Sequence, residues 1–330
     1  MRGVVQVILL ILVLFIGVPL VIGLSLSNTQ GQYNLDDFSS RIETPEKVKI
    51  WIEEESRTKK LDFEEYVSLV VASEMPSNFE EEALKAQAVA VRTYAMSKIE
   101  SFYESEPASH PKAALCNTTH CQVYKSEKEL IKSHEKGWED SGLKKIKKAC
   151  KETEGQLLYY EGSLVTQPLF FSSSGGQTEN SEDVFSGEYP YLVSVASPYE
   201  EGASHSNEQK AFLLSDVSKK INEMYTDRNT GNLTISNIKI LSRTAGGRVD
   251  KIQLGQSVYK GTEVRSALGL SSALFSFSFS ESGKRQEIVF TTNGYGHGVG
   301  MSQYGANGMA KEGKTYKEIL THYYTGTNVY

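Results

Sequence analysis

Apolar and polar positions divide this chain into three regimes. The first is a run without charge, Val4 to Leu24, almost wholly apolar and 21 residues long. That length crosses a bilayer hydrocarbon core of about 30 Å. Its end lacks an Ala-x-Ala pattern, so an uncleaved single-pass anchor is expected over a cleaved signal, with Pro19 tolerated as a kink. Arg2 is the lone positive charge ahead of it, which keeps residues 1–27 as a cytoplasmic tip plus anchor and places the rest outside the membrane. Residues 28–45 read as a linker, and 46–330 as the working domain.

The second regime repeats at helical spacing. Phe63, Tyr66, Val67, Val70 and Val71 predict a helix from Asp62 to about Glu74. Pro76 disfavours helical geometry at Met75 and closes it. Ser77 with Glu80 reads as a capping box. It opens a long helix to about Phe102, with Leu84, Ala88, Val91, Ala95, Ile99 and Phe102 as its stripe. Alanines at 83, 86, 88, 90 and 95 keep that helix thin. Lys125 to Cys150 reads as charged helix broken near Gly142.

The third regime alternates with period two. Gln156–Tyr160, Ser163–Ser172, Leu233–Leu241, Val249–Leu254, Phe275–Phe279 and Glu287–Thr292 read as strands, and Val48–Glu53 as a strand or short amphipathic piece. Phe275, Phe277 and Phe279 alternate with serines, giving one aromatic and one polar face. Helix returns at Ser302–Lys311 and at Tyr316–Tyr323, the latter capped by Thr315 with Glu318. Helices, then strands, then helices predict an α+β fold with a substrate cleft.

Composition adds little to this picture. A net charge of −6 gives no reason to expect nucleic acid or an anionic surface as partner. Tyrosine numbers 18 against 2 tryptophans, which suits strands and also sugar-binding grooves.

Three segments carry candidate chemistry. Glu74 sits at a helix C-terminus, where the macrodipole penalises a carboxylate and raises its pKa, as a general acid requires. The plain alternative is a surface residue that ends a helix. Arg92, on the long helix, has either Glu74 or a substrate oxygen as its expected partner, or snorkels at the helix edge. The second segment holds His110, Cys116, His120 and Cys121, the ligand types of a tetrahedral zinc site. A Cys116–Cys121 disulfide or free thiols are the other arrangements the spacing permits. The third comprises two glycine-rich runs, Phe171–Ser181 and Asn293–Gly305, in which Ser173, Gly175, Gly176, His297, Gln303 and Tyr304 are candidate ligand contacts. Neither run is a nucleotide-binding pattern.

These residues resemble one family. Ala72-Ser73-Glu74-Met75-Pro76, Leu84-Lys85-Ala86-Gln87-Ala88, Val91-Arg92-Thr93-Tyr94, Thr119-His120-Cys121-Gln122-Val123-Tyr124, Ser174-Gly175-Gly176-Gln177-Thr178-Glu179-Asn180 and Gly296–Ala306 are similar to motifs of the stage II sporulation protein D (SpoIID) family, in order from about residue 45 to 328. The resemblance implies a lytic transglycosylase acting on peptidoglycan glycan strands, with Glu74 as acid and base. It implies a structural Zn²⁺ on His110, Cys116, His120 and Cys121. It also implies a mother-cell membrane location during engulfment, with SpoIIM and the amidase SpoIIP as partners. The related amidase enhancers share the domain and suggest a non-catalytic alternative. The pattern places a histidine ahead of the Ser-x-Ser-Gly-Gly run; Phe171 stands here, so that position is assigned no catalytic role.

Overall fold

The computed structural model describes residues 42–282 and 285–330. The apolar run Val4–Leu24 lies outside them. Among the described residues no helix is long and apolar enough to cross a membrane.

Strand β1 (Lys47–Ile52) turns Val48, Ile50 and Ile52 inward and pairs antiparallel with β2 (Arg57–Asp62). The composition of β2, Arg-Thr-Lys-Lys-Leu-Asp, carries no strand signal. It is a strand because β1 supplies its hydrogen-bond ladder. Helix α1 (Phe63–Glu74) starts at Asp62, whose carboxylate accepts the Glu65 N–H at 2.9 Å. It ends where expected, with Met75 extended ahead of Pro76.

Helix α2 (Glu81–Glu104) is buried on nearly every face along its first four turns. Its alanines let α1 and three later helices pack against it closely. The expected Ser77–Glu80 capping box does not form. Ser77 Oγ instead accepts the Trp138 indole N–H at 3.0 Å, and the Glu80 N–H goes to Asn307 Oδ1 at 2.8 Å. Tertiary partners outcompeted the local cap.

Strand β3 (Leu115–Cys116) adds in parallel to β1. The charged stretch then folds as α3 (Glu127–Ser133), a π-helical turn over Glu139–Leu143, and α4 (Lys144–Glu152). The break falls at His134–Trp138. Gly142 is needed within the turn because a Cβ there would strike the Trp138 ring.

Next come β4 (Leu158–Tyr160), β5 (Ser163–Leu164) and β6 (Phe170–Phe171), much shorter than the alternation suggested. Strand β7 (Glu208–Leu213) and helix α5 (Leu214–Met224) follow, then a meander of β8 (Ile238–Arg243), β9 (Val249–Leu254) and β10 (Ser257–Lys260). Helix α6 (Gly261–Leu268) leads to β11 (Phe275–Ser282) and β12 (Arg285–Thr292), and β12 also pairs with β7. Phe275, Phe277 and Phe279 do face one core, packed with Phe290, Ile252 and Ile221, while Ser276 and Ser278 are exposed.

The chain closes on its beginning. Strand β13 (Met301–Ser302) pairs in parallel with β6. Helices α7 (Gln303–Lys311) and α8 (Tyr316–Tyr323) return to pack on α2, and β14 (Thr327–Val329) joins β4. Residues 43–330 form one compact unit of mixed helix and sheet, the expected α+β arrangement.

Candidate functional site

A groove of about 860 Å³ is lined by residues from both ends of the chain, among them Glu74, His120, Cys121, His297, Gln303 and Tyr304. Glu74, the last residue of α1, is half-buried on its wall. One carboxylate oxygen accepts the Val123 N–H at 2.7 Å; the other has no hydrogen-bond partner among the described residues. Burial drives its pKa above the ordinary carboxylate value, and the Val123 amide opposes the rise. The segment that offers Val123 is strapped to α1 twice more. Gln122 donates to the Tyr66 hydroxyl at 2.9 Å, and the Lys125 N–H donates to Ser73 Oγ at 3.1 Å.

Immediately before that segment lies the His/Cys cluster. The donor atoms of His110, Cys116, His120 and Cys121 all lie within 4.8 Å of one another. Cys121 Sγ is 3.4 Å from His110 Nε2 and 3.7 Å from His120 Nδ1, and Cys116 Sγ is 3.8 Å from His120 Nδ1. Zn–S bonds of about 2.3 Å and Zn–N bonds of about 2.0 Å would set such atoms roughly 3.3–3.8 Å apart. The His110 Nδ1–H donates to the Ala113 carbonyl at 2.9 Å, which leaves Nε2 as the inward lone pair. Hydrogen bonding from Cys121 holds the Cys116 thiol far below its usual value, to about 4, while the shared proton and burial push Cys121 up. No disulfide links them; Cys116, Cys121 and Cys150 are free. Donor set and separations fit a tetrahedral metal ion.

The glycine-rich runs are arranged differently from expectation. The amides of Ser174 and Gly175 do not face a ligand. Both donate to the Glu200 carboxylate at 2.9 Å, which also accepts from the Ser174, Ser197 and Ser302 hydroxyls. Gly175 and Gly176 hold φ of +79° and +115°, which is why glycine stands there. Ser173 is fully buried away from the groove wall, its backbone bridged to Tyr295. Below the loops Arg248 and Glu179, both buried, pair at 3.2 Å, and Arg248 also donates to the carbonyls of Gln177 and Ser174. Gly298 lies flat on that guanidinium, with no room for a Cβ.

His297 lines the groove beside Phe171 and Phe185, its ring centroid 5.4 Å from each of theirs. Both its nitrogens are engaged: Nε2–H donates to the Phe170 carbonyl and Nδ1 accepts the Val299 N–H, each at 3.1 Å. Burial lowers its pKa to about 4, so the ring is neutral at physiological pH. Gln303 is buried with its side-chain N–H₂ unpartnered at the groove. Tyr304 packs edge-on against Phe79, ring centroids 5.0 Å apart.

The stage II sporulation protein D of Bacillus subtilis (strain 168) is 38% identical over 287 residues, 87% of this chain and 79% of that protein. The chain belongs to the stage II sporulation protein D family. The protein of that name from Bacillus amyloliquefaciens is 37% identical over 289 residues, again 87% of this chain and 79% of the relative. An amidase enhancer of Bacillus subtilis (strain 168) is 27% identical over 304 residues, 79% of this chain but 39% of that longer protein. The family model described as Stage II sporulation protein matches residues 53–160, and one described as a domain of unknown function matches 182–300. The first match holds Glu74 and the whole His/Cys cluster; the second holds the groove residues Phe185, His205, Arg265, Tyr295 and His297.

Within this SpoIID fold Arg92 is not a groove residue, a correction to the sequence-based expectation. It is 0% exposed and binds Glu64 through two bonds of 2.7 Å, with the Cys150 and Gln156 carbonyls accepting two further N–H groups. Its role is to lock α1 against α2 and α4. Ser173, Gly175 and Gly176 likewise shape the loop and do not line the groove. Sequence reasoning missed Lys98, Arg265 and Tyr295, which do. Lys98 had a signal, since it follows Tyr94 by one turn on the same helix. Arg265 had none: α6 buries Gly261, Val264 and Leu268 at helical spacing, but nothing local marks Arg265 as facing a groove built from distant segments.

Proposed function

We propose that this SpoIID protein is a lytic transglycosylase that cleaves bonds between N-acetylmuramic acid and N-acetylglucosamine in peptidoglycan. One observation carries the reading: Glu74 is half-buried on a groove wall, its pKa raised, with one oxygen held by Val123 and the other open to the groove. The protonated carboxyl donates to the glycosidic oxygen, the C1–O bond breaks, and an oxocarbenium-like centre forms. The carboxylate then takes the proton of the muramic C6 hydroxyl as O6 closes on C1. A 1,6-anhydro end results and no water is consumed, so a single carboxyl group suffices. Aromatic faces at Tyr295, Tyr304 and Phe185 suit stacking on sugar rings. His297, neutral with both nitrogens engaged, supplies shape rather than a proton.

A Zn²⁺ on His110, Cys116, His120 and Cys121 would supply folding energy and no chemistry, since all four positions are protein ligands. Held there, it would brace the segment whose Gln122, Val123 and Lys125 bond to Tyr66, Glu74 and Ser73 of α1. Engulfment at the mother-cell membrane, with SpoIIM and the amidase SpoIIP as partners, is the physiological setting we propose from family membership.

The test is the full chain in detergent on peptide-free glycan strands, with mass analysis of the products. Anhydro ends from wild type and their loss in Glu74→Gln are expected; equal yields would remove the assignment. The amidase-enhancer relative motivates a second reading, a glycan-binding activator. Unimpaired amidase stimulation by Glu74→Gln, with no strand cleavage by either form, would favour it.

A further inference from the structure

The meander of β8, β9 and β10 turns one face into the core, through Ile238, Ile240, Ile252, Leu254 and Tyr259. Strand register sets out its other face row by row. Lys239, Gln253 and Val258 lie side by side across the three strands, and Lys251 stands directly opposite Lys260. Beside that pair Leu241 is bulged out of the β8–β9 ladder. Leu241 is 46% exposed and Val258 44%, and the three lysines are exposed as well. Among the described residues none of these lysines has an ion-pair partner. The carboxylates at the rim are engaged elsewhere: Asp250 accepts the Ser242 hydroxyl at 2.7 Å, and Glu263 pairs with Arg228. Like charges opposed across a strand pair are destabilising in isolation. Aliphatic side chains ringed by unpaired lysines, in a chain of net charge −6, have the composition of an interfacial membrane contact.

We infer that this face seats on an anionic phospholipid surface, with Lys239, Lys251 and Lys260 among the headgroup phosphates and Leu241 and Val258 at the top of the acyl chains. The aliphatic pair favours lipid over a soluble polyanion, which would leave both side chains in water. The chain outside the described residues argues for the same occupant. Its apolar run Val4–Leu24 is long enough to span a bilayer, and the 17 residues 25–41 separate that run from Ile42. Even fully extended, such a tether reaches no more than about 60 Å. A bilayer holding the run therefore stays close to the domain, and a few weak contacts suffice to choose which face meets it. Seating by the meander would hold the groove, on the same compact unit, at one orientation to the membrane.

The test places the full chain in lipid nanodiscs and introduces Val258→Trp. The discs contain phosphatidylglycerol or phosphatidylcholine, each with acyl chains brominated near the headgroup, which quench a tryptophan in contact with them. The protein without the substitution supplies the background from Trp51 and Trp138. In phosphatidylglycerol the introduced tryptophan should lose at least about half of its emission, since an interfacial apolar face sinks about 5–10 Å into the headgroup and acyl boundary. The loss should be several-fold smaller in phosphatidylcholine and should fade as salt rises. Combining Lys239→Gln, Lys251→Gln and Lys260→Gln should abolish it, and Leu241→Ser should reduce it. No quenching in phosphatidylglycerol, or equal quenching in the two lipids, overturns the inference, as does failure of the chain to remain on phosphatidylglycerol discs. Capture of soluble polyphosphate by the three lysines without quenching would assign the face to an anionic polymer and overturn it too. If the triple variant unfolds, the comparison of the two lipids on the Val258→Trp protein still decides. Strand cleavage by Glu74 plays no part in the measurement, so its result leaves the glycan-cleaving reading untouched.

Discussion

The backbone N–H of Val123 donates to the Glu74 carboxylate at 2.7 Å, and Val123 stands two residues after Cys121, a member of the His/Cys cluster. The proposed acid and the proposed metal site are thus joined by one short segment, pinned to α1 at Gln122 and Lys125 as well. Disorder at the cluster has a direct route to the carboxylate.

Chelation should therefore act on stability first and on glycan cleavage through it. One metal ion per chain is expected by elemental analysis. A strong chelator, or Cys116→Ser, should lower the melting temperature by several degrees, with activity falling in parallel. Activity lost at an unchanged melting temperature would instead make the metal part of the chemistry.

Glu74→Gln should reduce strand cleavage at least about a hundredfold, the usual contribution of general acid–base catalysis. It should also stabilise the fold at alkaline pH. The folded pKa of Glu74 lies above its unfolded value, so the native state binds the proton more tightly. Wild-type stability from this group is full below the unfolded pKa and is lost as pH rises through the folded one. The difference in melting temperature between variant and wild type should grow in the variant's favour from pH 4 to pH 8. A difference that stays flat across that range would mean that the carboxyl is not shifted.

His297 should titrate well below an ordinary histidine, near its value of about 4. A folded pKa below the unfolded one means protonation favours unfolding, so its contribution is kept above about pH 6.5 and lost as pH falls toward 4. Ring NMR shifts will follow this directly. The pH–rate profile should lack a limb from this histidine between pH 6 and 7. His297→Ala should cost about 1–3 kcal/mol by stranding the Val299 N–H and the Phe170 carbonyl, measured by denaturant unfolding.

Glu179 and Arg248 form a buried pair beneath the glycine-rich runs. Glu179→Ala should destabilise the protein by about 3–5 kcal/mol, because an unpaired guanidinium would remain buried. Gly298→Ala should destabilise it too, by driving a methyl group into that guanidinium. Substituting both partners by apolar residues of similar volume should cost less than Glu179→Ala alone.

The sequence by itself located α1, its stop at Pro76, the course of α2, the aromatic face of β11 and the terminal helix with its Thr315–Glu318 cap. These rest on periodicity and on residues a few positions apart, where local geometry decides. It also grouped His110, Cys116, His120 and Cys121, because close spacing in the chain limits how far apart they can fold. What the tertiary structure decided rests on partners distant in the chain. Ser77 lost its capping role to Trp138, 61 residues away. Arg92 turned to Glu64 rather than to the groove, since a buried guanidinium goes to the nearest carboxylate the packing supplies. The amides of Ser174 and Gly175 were taken by Glu200, and strand β2 exists only because β1 lies beside it. Arg265 lines the groove only because α6 packs beside segments distant in the chain. Charge and hydrogen-bond capacity are written in each residue, but which group satisfies them is fixed only when the chain closes on itself.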